Sequence, residues 1–322
     1  MKRRPWHERG AALLAAMLTV AMVATLAAAG LWQQWRSIEV ESAEATRAQA
    51  AWVLTGALDW ARLILREDAR SGGADYLAEP WAIPLQEARL STFLAADRGA
   101  STEGSAAEEA FLSGEIIDRQ SLLNVNNLVE GGRISEVGLA AFQRLFSQLG
   151  LPESQLGQLA DKLRQANEIG TDNPSASMAP LAPQTVDQLV WLGVSQQTVA
   201  ALTPYATVLP GRTPVNLNTA AAPVIYAAIS GITMADAQRL VAARQSSHFR
   251  TLADAAKLLG TREQGLGDGM ASVASRFFEI RGRLRLDQAV VEERSLVQRD
   301  GLQVRVLQRE RIAQIAPAPA QR

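Results

Sequence analysis

Residues equipped for catalysis are scarce in this chain. Two histidines, His7 and His248, and no cysteines occur in 322 residues. That excludes a thiolate nucleophile, a thiolate metal site and a disulfide framework. A catalytic triad or a zinc site needs more imidazoles, and neither a Gly-x-Ser-x-Gly elbow nor a Walker loop is present. The run Gly265–Gly269 (GLGDG) follows no strand-like segment, so it lacks the setting in which such loops cradle phosphates. No catalytic, cofactor-binding or metal-binding residue is assigned. The conspicuous polar side chains are asparagines: Asn124, Asn126 and Asn127 in one cluster, Asn216 and Asn218 in another. Such side chains accept from freed amides at helix starts and turns. Asn218 or Thr219 is placed to cap a helix running through Ile229, and the first cluster to do similar capping and turn work.

The elements that carry these residues follow from composition and rhythm. With 32 basic and 33 acidic residues, the formal net charge is -1, which gives no overall attraction to nucleic acid or acidic lipid. The charge is nevertheless uneven. Lys2, Arg3, Arg4 and Arg9 make the first ten residues basic, and Ala11 to Trp32 holds no charged residue. At ~1.5 Å per residue such a stretch spans roughly 30 Å, the thickness of a bilayer's hydrocarbon core. The basic flank predicts a cytoplasmic N-terminus with the rest outside.

Ala27 to Ala29 reads as a signal-peptidase site, but residues 33–69 contain no Pro and only Gly56, and they continue in helical rhythm. One helix from about 11 to 69 is expected, apolar all round in its first half and amphipathic in its second. Ala45, Ala48, Trp52, Trp60, Leu63 and Ile64 fall near one face, expected to pack into the core. Gly72 and Gly73 end it. Pro80 and Pro84 make the next segment irregular, Gly99–Glu109 has loop composition, and Glu115–Asp118 reads as a short strand. From about 119 the pattern turns helical. Leu139, Phe142, Leu145, Phe146 and Leu149 form a stripe ending at Gly150. Pro152 starts a helix through Leu156, Leu159 and Leu163, and Thr171–Pro183 is a loop. Asp187–Leu192 and Ser195–Leu202 are short helices. In a second group, Gly231 closes the first helix, a second opens at Thr233 or Met234 and runs through Ala243, and Phe249, Leu252, Ala255 and Leu258 pack a third.

The C-terminal part reads as sheet. Phe277–Leu286 and Leu302–Leu307 alternate at period two, Ala289–Gln298 is extended, and Asp300-Gly301 is a hairpin signal. About three strands, joined by the one near 115–118, are expected to pack on the long helix.

A basic leader ending in Gly10, an apolar half-helix and an amphipathic continuation resemble the type IV pilin family. GEIIDRQSLLNVNNLV (Gly114–Val129) and TPVNLNTAAAPVI (Thr213–Ile225) resemble the two Asn-rich signatures of the type II secretion minor pseudopilin K family. The resemblance implies leader cleavage between Gly10 and Ala11, with methylation of the new N-terminus at Ala11. Most pilins carry Glu at the fifth mature position, where this chain has Ala15. A mid-membrane carboxylate costs ~2.5–3.5 kcal/mol on insertion scales, and pairs in pilins with the terminal amine of the subunit ahead. Its absence fits a subunit with none ahead, at the tip of a periplasmic pseudopilus needed for export of folded proteins.

The implied fold class is α+β: a pilin-like fold with a long N-terminal helix on an antiparallel sheet, interrupted by an all-α insertion of two SAM-like modules. The expected divisions are leader 1–10, membrane half-helix 11–32, periplasmic half-helix and first part of the pilin domain 33–118, first module 119–203, second module 204–275, C-terminal strands 276–312 and a disordered tail 313–322. Implied partners are the pseudopilins I and J, the prepilin peptidase and the inner membrane, and beyond these pseudopilin H, the secretin or exported proteins. The family also holds calcium in its helical region. Here the corresponding stretch offers only Glu168, Asp172 and Asn173 before Pro174, a poor match to six to eight oxygen ligands, so the expectation is no cofactor.

The rival reading is a periplasmic DNA-binding protein exported on a signal peptide. The second module resembles a helix-hairpin-helix unit, with its turn at Gly231-Ile232-Thr233 and Arg239, Arg244, Arg250 and Arg262 nearby. Such turns bind phosphate through helix N-terminal amides. Asp236, Asp254 and Glu263 interrupt the basic residues, which weakens the phosphate attraction that dominates non-specific binding. The expectation is therefore no nucleic-acid partner and no enzymatic activity.

Overall fold

The computed structural model describes residues 8–90, 110–167, 179–260, 266, 269–286 and 289–315. The chain divides into two compact units, Met1–Thr55 and Gly56–Arg322. Helix α1 (Glu8–Ser71) belongs to both. In the first unit the described residues are helical. An 18-residue window within the helix has a mean hydropathy of 2.2, and none of it is buried. That is long and apolar enough to cross a membrane.

In the second unit, five strands form one antiparallel sheet: β1 (Leu85–Arg89), β2 (Ala110–Asp118), β9 (Phe277–Leu286), β10 (Ala289–Asp300) and β11 (Gln303–Ile315), in the order β1-β2-β9-β10-β11. β2 pairs β9 from Ala110↔Leu286 to Asp118↔Phe278. β10 pairs β11 with a bulge at Leu296/Val297. Leu58, Ala61 and Leu65 of α1 pack on Trp81, Phe278, Ile280, Val297 and Val304. Each such large apolar side chain contributes ~1.5–3 kcal/mol when fully buried. The Trp81 and Phe278 rings meet edge to face at 5.2 Å.

The sheet is interrupted between β2 and β9 by a mainly helical insertion. Its elements are β3 (Leu123–Asn124), β4 (Val129–Glu130), β5 (Arg133–Ile134), α2 (Glu136–Leu149), α3 (Glu153–Asn167), α4 (Gln196–Leu202), β6 (Ala206–Thr207), β7 (Val215–Asn216), α5 (Ala222–Ala228), α6 (Met234–Ser246), α7 (Leu252–Leu259) and β8 (Ala271–Ser272). Two parallel bridges, β3 with β6 and β7 with β8, draw together the ends of two modules. The modules share one continuous core, in which Phe142 and Leu145 of α2 and Val224 and Ile225 of α5 are completely buried. Arg144 spans the same junction, donating through Nε and Nη2 to the Ala227 carbonyl at 3.0 and 2.7 Å.

Fold class and order of parts agree with the sequence reading, and several details differ. The buried face of α1 in this unit is Leu58, Ala61 and Leu65, while Trp60 and Leu63 are 48% and 38% exposed. Of the predicted face in this unit, Ile64 packs partly buried against the core while Trp60 and Leu63 point outward, because periodicity finds a stripe but not which edge of it meets the sheet. Strand β1, directly after Pro84, was missed; its burial pattern is mostly exposed, so it has no apolar alternation to read. β2 begins five residues before Glu115, and β11 runs to Ile315, past the boundary drawn at 312. Residues 119–134 form 3-10 turns and two-residue bridges instead of helix. Because Ala206–Thr207 pair with Leu123–Asn124, the first module extends beyond 203. The expected loop Gly99–Glu109 and the tail beyond Ile315 lie outside the described residues.

Candidate assembly site

The two asparagine clusters act as clasps at the open ends of the modules. In the first, Asn124 Oδ1 accepts from its neighbour's amide at Asn126 (3.1 Å) and from the Leu209 amide (3.0 Å). Its Nδ2 donates to the Gly211 carbonyl at 2.8 Å and to Thr213 Oγ1 at 3.0 Å. Asn127 both donates to and accepts from the Thr213 backbone, at 2.8 and 2.9 Å. In the second cluster, Asn216 Oδ1 accepts from the Asn218 amide at 3.0 Å, and Asn218 clasps Phe249 at its carbonyl (2.9 Å) and amide (2.8 Å). The pattern apolar-Asn-apolar-Asn therefore repeats with the same Asn-to-i+2 turn in both modules.

Capping by Asn218 or Thr219 is corrected. The cap position of α5 is Ala221, which makes no side-chain cap hydrogen bond. Thr219 Oγ1 instead donates to Asp118 at 2.6 Å. Asp118 is the centre of a network that the sequence reading missed. Its carboxylate accepts from Asn216 Nδ2, Thr219 Oγ1, Ser275 Oγ and the Gln120 amide at 3.1, 2.6, 2.6 and 2.7 Å. Burial pushes its pKa up, against the pull of those four donors. The signal was present: Leu112, Ile116 and Asp118 share one side of β2, and an acid at an inward position demands partners.

From this centre the network reaches the end of α1. Asn216 also donates to the Asp75 carbonyl at 3.1 Å, and the Ser275 amide donates to the Asp75 carboxylate at 2.6 Å. Arg299, at the end of β10, donates to Asp68 and Asp75, each at 2.5 Å, and to the Ser275 carbonyl at 2.9 Å. Its guanidinium lies 4.8 Å above the Phe278 ring. Helix, sheet and insertion thus meet on one buried polar network, each part supplying groups the others need.

The hairpin at Gly231–Thr233 is unsuited to phosphate. Its amide donor at Thr233 is already bound to Asp236 Oδ2 at 2.8 Å, in a capping box. Arg239 pairs with the same Asp236. Arg244 turns inward to the Leu217 and Ala220 carbonyls at 2.6 and 2.5 Å. Arg262 and Glu263 lie outside the described residues, as do Glu168, Asp172 and Asn173 of the calcium expectation and most of Gly265–Gly269. Gly10 and Ala11 lie inside the first turns of α1.

Apolar side chains on α1 stay exposed: Leu31, Trp32, Trp35, Ile38 and Trp52 in the first unit, the last at 78%. In the second unit, Trp60 and Leu63 continue the exposed set. A soluble helix rarely leaves so many large apolar groups open unless lipid or another chain covers them.

Residues 121–211 and 215–274 match two family models, both described as type II secretion system (T2SS), protein K. The chain is 28% identical over 295 residues to the type II secretion system protein K of Pseudomonas aeruginosa, covering 85% of this chain and 83% of the relative. It is 25% identical over 335 residues to the protein of the same name from Pectobacterium carotovorum subsp. carotovorum, covering 94% and 96%. Among solved structures it resembles a chain of the GspK-GspI-GspJ complex from enterotoxigenic Escherichia coli, with a TM-score of 0.61 and 18% identity over 84% of this chain and 98% of that one.

Proposed function

This chain belongs to the type II secretion system protein K family, and on that premise we propose that it is the minor pseudopilin at the tip of a periplasmic pseudopilus. Its role is to support pseudopilus assembly and the export of folded proteins, with no reaction of its own. The observation that carries this reading is helix α1, apolar and exposed over Ala11–Trp32 and still lined with exposed Trp and Leu beyond it. Residues 11–32 sit in the inner membrane, with the basic flank cytoplasmic and the folded head periplasmic.

The relative of known structure was solved with GspI and GspJ. By likeness, the partners here are the pseudopilins I and J, and the exposed face of α1 in the first unit, at Trp52, is where their helices pack. The helical insertion, held to the end of α1 by the Asp118 network, forms the cap. The prepilin peptidase processes the leader between Gly10 and Ala11.

Mass spectrometry of the mature protein is the test. A chain beginning at N-methylated Ala11 is expected. A first residue at Gly30 or later would mean a removed signal peptide, and the membrane rod would be lost.

A further inference from the structure

We propose that Asp68, Asp75 and Glu79, gathered around one guanidinium, form a proton-operated clasp that sets how firmly the helical insertion is held to the end of helix α1. This goes beyond the assembly role and does not depend on it.

The three carboxylates approach within 4.8 Å of one another, and Asp75 is almost fully buried. They border a cavity of about 330 Å³ between the last turn of α1, Gly72-Gly73, the exit of the insertion at Ala274–Arg276 and the end of β10. The cations facing it are Arg299, which pairs with Asp68 and Asp75, and Arg276, which pairs with Asp300. With Arg276 balanced by Asp300, the three acids share, among the described residues, the one positive charge of Arg299. Coulomb repulsion therefore falls on the third acid, Glu79, which pairs with no cation among the described residues.

Glu79 is also the acid with most leverage. Its Oε2 accepts from the Tyr76 amide and from the indole Nε1 of buried Trp81, both at 2.8 Å. The Tyr76 ring stacks on His248 of the insertion, with centroids 3.7 Å apart and planes 9° from parallel. A shift of this turn is passed to the insertion through that stack and to the sheet core through Trp81. Gly72 and Gly73, at φ of 65° and 113°, have open space around them in which the chain can swing.

Burial first, and then the charges of Asp68 and Asp75, push Glu79 up to about 7, against the pull of its two hydrogen bonds. A folded-state value above the ordinary carboxylate range means the folded protein holds this proton more tightly than the unfolded one. The stabilisation is complete below the ordinary value and is lost as pH rises through about 7. The clasp closes on protonation and loosens above neutrality, when two net negative charges oppose each other across the joint.

Hydrogen–deuterium exchange of the full chain in detergent micelles, corrected for intrinsic rates, tests this. Residues 72–82 and 246–251 are expected to exchange about three- to ten-fold more slowly at pH 5.5 than at pH 8, with a midpoint near neutrality. Glu79→Gln, a permanent mimic of the protonated form, should be slow at both pH values. Asp68→Asn, which removes one repelling charge, should keep the transition and move its midpoint toward acid. Equal protection of the wild type at both pH values overturns the proposal. So does an unchanged pH profile in Glu79→Gln, or an unmoved midpoint in Asp68→Asn.

Discussion

The side-chain amide of Asn216 donates to the buried carboxylate of Asp118 at 3.1 Å, joining residues 98 apart in sequence. One is the second residue of the two-residue strand β7, and the other ends β2, the last strand before the insertion. Through this pair the second helical module is fastened to the sheet at the point where the insertion begins.

Asn216→Ala removes that donor along with its bonds to the Asp75 carbonyl and Ser275 Oγ. A buried carboxylate that loses a partner carries its desolvation cost, about 1–3 kcal/mol. Chemical denaturation of the full chain in detergent should show a lower midpoint at an unchanged slope. A midpoint equal to wild type would mean the network adds nothing to stability.

Gly138→Ala is expected to destabilise the first module severely. A Cβ there would lie 1.9 Å from the Asn127 carbonyl oxygen, closer than any contact a folded protein tolerates. The turn carrying Asn127 would have to move and release Thr213. Overpacking of this kind costs about 1–3 kcal/mol. Thermal unfolding reads the loss, and a control at the open Gly157 should stay near wild type.

The two faces of α1 should separate by measurement. Leu65→Ala opens a cavity beneath a fully buried side chain and should cost about 2–5 kcal/mol of stability. Trp52→Ala, at a position 78% exposed, should leave stability within about 0.5 kcal/mol of wild type. It should nevertheless weaken co-purification with the partner pseudopilins. Normal assembly in Trp52→Ala would remove this face from the partner interface.

The hairpin before α6 should resist acid. The backbone and hydroxyl of Thr233, and then Arg239, hold the Asp236 carboxyl down at about 2. A depressed folded-state value gives stabilisation that is present above the ordinary carboxylate range and disappears as pH falls toward 2. Amide exchange at Thr233 should therefore stay slow at pH 4, and Asp236→Asn should speed it at that pH. The same hairpin should give no tight, steeply salt-dependent DNA binding in a filter titration, since the Thr233 amide, Arg239 and Arg244 are already engaged.

Much of the architecture was legible because it rests on local rules. An uncharged run from Ala11 to Trp32 must avoid water whatever surrounds it. The stripe Phe142-Leu145-Phe146 ending at Gly150, the cap at Thr233 and the Asp300-Gly301 turn are likewise set by neighbours three or four residues away. The asparagine clusters stood out by type and spacing, and two histidines with no cysteine excluded a thiolate nucleophile and a disulfide framework.

Other features depend on partners distant in the chain, and only tertiary structure decides those. Periodicity gave α1 an apolar stripe. It took the sheet, built largely from residues more than 200 positions away, to bury Leu58, Ala61 and Leu65 and leave Trp60 outside. β1 has no pattern of its own and exists because β2 offers an edge to pair with. Asp75, Asp118, Ser275 and Arg299 are ordinary residues in sequence and one network in space, because hydrogen bonding and burial act on distance and not on order along the chain.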